Sequence, residues 1–355
     1  MSASYRPVQW NAFKWLYDGV LLAAVALYVI AFLHLVPAVT DPARLVETPI
    51  LRMRAFGSCA FLMLTFILCI GPLARLDPRF LPLLYNRRHF GVLTALVALT
   101  HAGYVLDWYF AFSPLEPYVG LLSANTSYRQ ILGFPFEAFG IFALLVLVVL
   151  AVTSHDFWLA FLTPPVWKAM HMSIYAAYLA VIAHVAFGYL QDTADPTFAV
   201  LTVGSAALVT GMHIAVALDG LREDADAAKP AAAKAGWVRA CSLADLADGR
   251  GRVVALADAE RVAIFRHGGD KLSAVSNVCA HQNGPLGEGR VIDGCVTCPW
   301  HGFQYRIEDG CAPAPFTEKI ATYRLALDGD TVLLDPRPNA PGTRVEPLVI
   351  AKVVS

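Results

Sequence analysis

The sequence predicts a membrane all-α six-helix bundle followed by a small all-β domain. Three observations lead to this fold class. Apolar residues make up 57% of the 355 residues and charged residues only 15%, compared with about a quarter in soluble proteins. Of the 55 charged side chains, 21 lie in residues 1–218 and 34 in residues 219–355, so the apolar part comes first. The later part holds short β-rich runs separated by Gly and Asp turns.

The charge balance excludes one class of function. The chain has 27 basic and 28 acidic side chains and a formal net charge of −1. Such a chain has no positive field to attract a phosphate backbone. We therefore expect no nucleic acid as a partner. The apolar composition indicates a lipid bilayer as a partner.

Six apolar stretches in the first 218 residues have 17 or more residues each, which is enough to cross a hydrocarbon core of about 30 Å. The first is interpreted as a retained span and not as a signal peptide, because its leader carries Trp10, Trp15 and Tyr17 and its apolar run is too long. The predicted spans are residues 19–36, 55–74, 90–112, 136–153, 169–190 and 197–218.

Basic residues in the short loops predict the orientation of the spans. One side holds Arg6, Lys14, Arg75, Arg79, Arg87, Arg88, Lys168 and Arg222. The other holds only Arg44, Arg52, Arg54 and Arg129. The positive-inside rule then places both termini and the C-terminal domain in the cytoplasm, with the spans in an inner or plasma membrane.

Four histidines inside the predicted spans carry the first chemical hypothesis, because polar groups in a membrane are costly. His89 and His101 lie at the start and middle of span three, and His171 and His184 lie at the start and late middle of span five. Odd-numbered spans run in the same direction, so His89 is level with His171 and His101 with His184. Steps of 12 and 13 residues separate the two levels by about 18 to 20 Å. This spacing suits two haem irons, each held by one imidazole from each helix.

The spacing also requires a local irregularity. In an ideal helix a 13-residue step turns the side chain by about 140° and a 12-residue step by about 120°. A local bulge, or two rings approached from different sides, must therefore be assumed. The alternative for each histidine is a hydrogen bond to a neighbouring helix or a place at the headgroup level, and it applies most to His89, which follows two arginines. His34 and His213 are interpreted as structural.

A resemblance to a known family rests on the order and spacing of short motifs. These are Arg87-Arg88-His89-Phe90-Gly91 followed by His101, Gly71-Pro72-Leu73-Ala74-Arg75 upstream, and the pair His171 and His184. Together they resemble the ferric-reductase-like transmembrane family over about residues 50–190. The resemblance implies a six-helix bundle that binds one or two b-type haems, with His101, His171 and His184 at the ligand positions. His89 departs from the family pattern, and its role as a fourth ligand is an inference from its level.

Residues 222–236 are charged and alanine-rich with one interrupting proline, Pro230, which predicts a linker. It separates a six-span domain, residues 1–221, from a C-terminal domain, residues 237–355. In that domain the short β-rich runs predict a small sandwich or barrel.

The most informative stretch of the β domain contains two Cys/His pairs. Cys279-Ala280-His281 is followed after sixteen residues by Cys298-Pro299-Trp300-His301. Such pairs on separate loops can hold a [2Fe-2S] cluster, with both thiolates on one iron and both imidazoles on the other. A structural zinc ion is the alternative, although zinc fingers usually group two cysteines in one pair and two histidines in the other.

The residues around both pairs resemble Rieske domains of the ferredoxin and oxygenase-component type, over residues 237 to about 340. The resemblance rests on Gly284-Pro285-Leu286-Gly287 and on the run from Cys298 to Phe303. It implies a Rieske [2Fe-2S] cluster on Cys279, His281, Cys298 and His301. Respiratory versions carry an additional disulfide at positions that match Gly284 and Trp300, so the resemblance also implies a potential in the lower part of the Rieske range. Cys295 and Cys311 have no assigned role and are interpreted as unpaired thiols.

Together the two domains predict an oxidoreductase-type electron-transfer subunit. Electrons from a soluble redox donor in the cytoplasm would pass to the cluster, then to the inner haem at His89 and His171, then to the outer haem at His101 and His184. Flow in the reverse direction is equally compatible with the sequence. The acceptor would be on the opposite face or in the quinone pool. The chain has no G-x-G-x-x-G fingerprint for a nicotinamide domain, and only about fifty residues follow the cluster motif, too few for a mononuclear iron domain.

Three alternatives stay open at this point. One is a quinol-oxidising or ferric/metal reductase with its own substrate site, for which Asp107 and Glu137 would serve proton transfer. Another is a redox sensor. The third is a Rieske protein with a haem-free membrane anchor.

Overall fold

The structure is a computed structural model, and two compact units are distinguished within it. One is helical and comprises residues 10–72 and 86–213, and the other comprises residues 73–85 and 214–355 and contains the β domain. The residues that the structure describes are 12–39, 47–80, 83, 86–112, 114–130, 133–155, 158, 161–162, 164–188, 197–227, 236–256, 260–281, 283–299, 302–314 and 316–350.

Long apolar helices dominate the first part of the chain. They are α1 (Ala12–Val39), α2 (Thr48–Leu76), α3 (Arg87–Phe112), α4 (Pro117–Ser123), α5 (Glu137–Val152), α6 (Pro164–His171), α7 (Ile174–Gly188) and α8 (Thr197–Ala227). Five segments are long and apolar enough to cross a membrane, namely Lys14–Val39, Thr48–Leu76, Arg87–Ala111, Val166–Gly188 and Thr197–Arg222. They confirm five of the predicted spans. The predicted fourth span is helix α5, which has 16 residues and a length of about 24 Å.

Helix α2 is the inner helix of the helical unit. Of its most apolar window 56% is buried, compared with none of the corresponding window of α1. Ala55 and Leu64 of α2 are almost fully buried, whereas Leu27 of α1 is 69% exposed. Outward-facing apolar side chains of this kind are what lipid tails cover in a multi-pass membrane protein.

The fifth span is interrupted just after His171. Helix α6 ends at His171 and α7 begins at Ile174. Between them the Ser173 backbone N–H donates to the Met170 carbonyl (3.1 Å) and the Ser173 hydroxyl donates to the same oxygen (2.6 Å). The contact spans three residues instead of four, which changes the rotation between His171 and His184. A local irregularity of the kind assumed for the 13-residue spacing therefore exists between the two histidines.

The β domain contains three small antiparallel sheets. Their strands are β1 (Val238–Ser242), β2 (Gly251–Ala255), β3 (Arg261–His267), β4 (Lys271–Ser276), β5 (Arg290–Ile292), β6 (Cys295–Thr297), β7 (Gln304–Arg306), β8 (Thr322–Tyr323), β9 (Leu325–Asp328), β10 (Thr331–Leu334) and β11 (Leu348–Val349). The sheet orders are β1-β10-β9, β11-β4-β3-β2 with β8 added beside β4, and β5-β6-β7. This arrangement confirms the small all-β domain.

Two of these sheets position the loops of the Cys/His pairs. The first loop follows β4. The neighbouring strand β3 contributes Ala263 and Phe265, which are fully buried. The second loop joins β6 to β7, which pair in register from Cys295 with Arg306 to Thr297 with Gln304. Both cysteines belong to one core cluster with Phe265 and Leu286, so each loop is anchored at its cysteine.

The predicted linker begins inside a helix. Helix α8 continues to Ala227, which includes the first residues of the segment 222–236, and residues 228–235 lie outside the described residues. The domain boundaries at 221 and 237 stay a prediction.

Candidate functional site

The histidines predicted for the outer level come together in the helical unit. The rings of His101 on α3 and His184 on α7 have centroids 6.4 Å apart, and their planes cross at 80°. Because a metal–imidazole bond is about 2 Å long, a metal between two opposed imidazoles would hold the ring centres about 6 Å apart. The separation of the two rings therefore fits a metal between them, as in a haem with two histidine ligands.

Each of these histidines is held by a main-chain carbonyl. His101 Nδ1 bonds the Met53 carbonyl at 2.9 Å, and His184 Nδ1 bonds the Phe136 carbonyl at 3.0 Å. A carbonyl can only accept, so both Nδ1 atoms carry the proton. This tautomer leaves the lone pair of each Nε2 as the available metal-binding atom. The donor set fits a haem iron.

His171 lies near the start of the same span in a different environment. Its Nδ1 bonds the Trp167 carbonyl at 3.0 Å, and its ring stacks on the Trp167 ring with centroids 3.6 Å apart. Its Nε2 atom is buried and has no hydrogen-bond partner among the described residues. A buried polar atom without a partner costs free energy, and a metal would remove that cost.

His89 is held by a carboxylate. Its Nδ1 lies 2.9 Å from both carboxylate oxygens of Asp18 on α1. The pairing of His89 with His171 stays a prediction. A carboxylate on Nδ1 is the partner that metal-bound histidines commonly have.

The two loops of the β domain repeat one backbone pattern. In the first loop the Cys279 N–H donates to the Gly284 carbonyl (2.9 Å) and the Cys279 carbonyl accepts from Asn283 (2.7 Å). In the second the Cys298 N–H donates to the Phe303 carbonyl (2.8 Å) and the Cys298 carbonyl accepts from Gly302 (3.0 Å). The residue four after each cysteine has a positive φ, 56° at Asn283 and 70° at Gly302. Each loop is thus a tight turn closed on its cysteine.

The cysteines and His281 lie in an apolar pocket. Cys279 and Cys298 are 0% and 1% exposed, and their thiols represent the thiolates that would bind iron. The His281 ring stacks on the Phe303 ring with centroids 4.6 Å apart and planes 8° apart. His301 and Trp300 lie outside the described residues.

The arrangement bears on the choice between zinc and an iron–sulfur cluster. Within the described residues, no three His, Cys, Asp or Glu side chains lie close enough together to hold one metal ion. A single zinc draws its four ligands to one point, whereas a Rieske cluster divides them between two irons. Zinc and a cluster therefore make different demands on Cys279, His281, Cys298 and His301, of which His301 lies outside the described residues.

Tyr305 on β7 is a polar group of this pocket that the sequence reasoning missed. Its hydroxyl lies 3.5 Å from Cys279 Sγ and accepts a hydrogen bond from the His281 backbone N–H at 3.2 Å. Burial raises the pKa of Tyr305, and the nearby Cys279 raises it further. The phenol therefore keeps its proton, which is the one that it can donate to the Cys279 sulfur.

Comparisons with known proteins match both parts of the chain. A model of the Rieske [2Fe-2S] domain matches residues 236–324, and a model of the ferric reductase like transmembrane component matches residues 55–182. The chain is 30% identical over 103 residues to the ferredoxin component of the alkene monooxygenase system of Xanthobacter autotrophicus, which covers 29% of this chain and 83% of that protein.

Two further similarities are confined to the β domain. The chain is 33% identical over 89 residues to cholesterol 7-desaturase nvd 1 of Ciona intestinalis, covering 25% of this chain and 19% of that protein. It therefore spans about a fifth of the length of that relative. The ferredoxin of carbazole 1,9a-dioxygenase from Nocardioides aromaticivorans has 24% identity and a TM-score of 0.27, over 29% of this chain and 100% of that one.

The fold and the site define a multi-pass membrane protein that carries an iron–sulfur domain. The chain belongs to the Rieske [2Fe-2S] family through residues 236–324, joined to a ferric reductase like transmembrane domain over residues 55–182.

Proposed function

We propose that the chain is a membrane electron-transfer protein that passes electrons between a cytoplasmic Rieske cluster and b-type haem in the membrane, towards an acceptor on the opposite side. The observation that carries the proposal is the pair His101 and His184, whose rings lie 6.4 Å apart. When bound, the cluster and the haem each take up and release one electron.

His101 and His184 are proposed as the two ligands of the outer haem. The Met53 and Phe136 carbonyls fix the tautomer of both rings and the direction of both Nε2 lone pairs. A hydrogen bond at Nδ1 also raises the basicity of the opposite nitrogen, which strengthens its bond to iron. The protein thus prepares both ligands before the cofactor binds.

His89 and His171 are proposed as ligands of a second, inner haem. The support differs between them, since the Asp18 carboxylate holds His89 whereas Nε2 of His171 is buried without a hydrogen-bond partner among the described residues. The two sites would make the bundle a conductor between the membrane faces.

In the β domain, Cys279, His281, Cys298 and His301 are proposed as the ligands of the cluster. The apolar pocket excludes water from both thiolates, because Cys279 and Cys298 are buried beside Phe303 and Leu286. Tyr305 supplies a hydrogen-bond donor near Cys279. The burial of both cysteines supports this proposal, because it limits access of solvent to sulfur.

A second candidate function is a quinol-oxidising or metal reductase with its own substrate site, and one observation favours it. Glu137 at the start of α5 is buried, and its Oε1 accepts hydrogen bonds from Asn125 (2.5 Å) and the Tyr109 hydroxyl (3.5 Å). Glu137 follows Phe136, the carbonyl partner of His184. A carboxylate there is placed to accept a proton from a substrate. Turnover of a quinol or a ferric chelate by purified protein, lost in Glu137→Gln, would favour this function.

The proposal predicts electron transfer across a bilayer. Proteoliposomes are prepared with ferricyanide inside and dithionite outside, and we expect the ferricyanide absorbance to fall. The rate of this fall should scale with the fraction of protein whose Rieske domain faces outward. That fraction is measured by protease cleavage between the domains. Empty vesicles give the leak rate. Rates of Cys298→Ser and His184→Ala that equal the wild-type rate would contradict the proposal.

Tyr305→Phe is expected to lower the midpoint potential of the cluster by about 65 to 130 mV, the one-electron equivalent of one hydrogen bond to a charged group. A donor near sulfur stabilises the more negative, reduced cluster, so its removal favours the oxidised form. The measurement is a potentiometric titration followed by electron paramagnetic resonance. Tyr323→Phe is the matched control, because the Tyr323 hydroxyl bonds Glu260 instead. An unchanged potential in Tyr305→Phe would show that its hydroxyl does not act on the cluster.

A further inference from the structure

Each histidine of the outer pair lies against a glycine of a neighbouring helix. A Cβ atom at Gly57 on α2 would lie 3.0 Å from both Cε1 and Nδ1 of His101. A Cβ atom at Gly140 on α5 would lie 2.8 Å from Nδ1 and 2.9 Å from Cε1 of His184. A larger residue at Gly140 would therefore displace the imidazole, and one at Gly57 would require the His101 ring to shift by a few tenths of an ångström.

Both glycines have the same relation to the carbonyl that holds the ring. His101 bonds the carbonyl of Met53, four residues before Gly57, and His184 bonds the carbonyl of Phe136, four residues before Gly140. In an α-helix the carbonyl of residue i points towards residue i+4. A side chain at i+4 would cover that carbonyl, whereas glycine leaves its second lone pair open to an outside donor.

A reciprocal contact further restrains His184. The Phe136 ring lies beside the His184 ring, with centroids 5.3 Å apart. The same Phe136 ring rests against Gly188 on α7, where a Cβ atom would lie 2.8 Å from Phe136 Cδ2. The His184 ring therefore packs against Gly140 on α5, and the Phe136 ring packs against Gly188 on α7. The two rings therefore pack against each other between α5 and α7.

We infer that Gly57 and Gly140 are positioning residues that hold the two imidazole planes crossed, at the observed angle of 80°. The inference rests on the proposed function, because it concerns the haem that this pair would bind. The glycines act through the histidines and touch no reacting atom. Each glycine sets the orientation of one ring, because it leaves room for that imidazole to bond a main-chain carbonyl.

Crossed ring planes have a spectroscopic consequence. Each imidazole donates π density into the iron d orbital perpendicular to its plane. Two parallel rings interact with the same d orbital of the iron, so this orbital and its partner d orbital differ in energy. Two crossed rings interact with one of these two orbitals each, so the two orbital energies stay nearly equal. An oxidised low-spin iron between crossed rings gives a strongly anisotropic resonance with one dominant low-field feature, and one between parallel rings gives a rhombic pattern.

The test compares Gly57→Ala and Gly140→Ala with Gly103→Ala in full-length protein. Gly103 lies two residues after His101 on α3, and a Cβ atom there would meet nothing within 4 Å. Alanine is the better helix former, so a loss at Gly57 or Gly140 would not come from helix propensity. The readouts are the low-temperature resonance of the oxidised haem, the haem-to-protein ratio and the elution profile in detergent.

Gly140→Ala is expected to shift the low-field feature towards the rhombic pattern and to weaken haem binding by about 10-fold or more. Gly57→Ala is expected to change both readouts less, because its closest contact is longer, and Gly103→Ala should match the wild type. If Gly140→Ala elutes as aggregate, the haem resonance of the milder variant Gly57→Ala tests the inference.

Two outcomes separate this inference from the proposed function. A wild-type protein that shows the cluster signal but no haem would contradict the proposed function and with it the inference. A wild-type protein with haem whose resonance is unchanged in both Gly57→Ala and Gly140→Ala would overturn the inference alone. The same would follow if Gly103→Ala changed the resonance as much as they do.

Discussion

Replacing Cys298 with serine is expected to abolish the paramagnetic signal of the reduced cluster while the haem stays bound. Cys298 is 1% exposed and its backbone closes the second loop through Phe303 and Gly302. A serine hydroxyl there is neutral and hard, whereas iron–sulfur clusters are held by thiolates. The expected loss is about 10-fold or more in signal per protein. It is measured by electron paramagnetic resonance of dithionite-reduced protein and by acid-labile sulfide.

The haem is expected to remain because its proposed ligands belong to a different compact unit from Cys298. Cys295→Ser is the matched control. Cys295 lies three residues earlier on β6 and is only partly buried, so its replacement should leave the cluster signal unchanged. Retention of the signal in Cys298→Ser would contradict the ligand assignment. Loss of haem together with the cluster would contradict independent binding of the two cofactors.

Hydropathy was sufficient to predict where the helices lie, because lipid selects for apolar composition along a whole helix. It could not show that α5 has only 16 residues, since the flanking residues are also apolar. A local bulge was one of two alternatives that the 13-residue spacing allowed, and the sequence could not locate the break that the structure has between His171 and Ile174. It depends on the contact of Ser173 with the Met170 carbonyl, and serine is tolerated in intact membrane helices.

The pairing of His101 with His184 followed from their common level, and the structure brings the two rings together. The groups that orient them were missed, because the Met53 and Phe136 carbonyls belong to the main chain and have no residue type. Gly57 and Gly140 lie four residues after Met53 and Phe136 and were the sequence signal for these open carbonyls.

Other partners were missed for different reasons. Asp18 lies far along the sequence from His89, so only the packing of α1 against α3 joins them. Tyr305 was detectable in principle, because the alternation Gln304-Tyr305-Arg306 places it on the buried face of β7. Its distance of seven residues from Cys298 concealed its contact with Cys279.

Replacing His184 with glycine is expected to remove the outer haem and leave the cluster signal intact. His184 supplies one of the two opposed imidazoles, and no other described histidine ring lies against His101. Iron with a single axial imidazole is bound more weakly, and the expected loss is one haem per protein or the whole haem content if only one site exists. The measurement is the reduced-minus-oxidised absorption difference with a haem-to-protein ratio.

Free imidazole provides the decisive control. His184→Gly leaves a space between Gly140 and Phe136 of the size of the lost ring, with the Phe136 carbonyl still in place to accept its N–H. Added imidazole should therefore restore the low-spin spectrum, whereas a protein that has lost its fold would not respond. His34→Gly, at an exposed histidine of α1, should keep the wild-type spectrum without imidazole. A haem spectrum that is the same in wild type and His184→Gly would refute the ligation of the outer haem and remove the main support for conduction across the membrane.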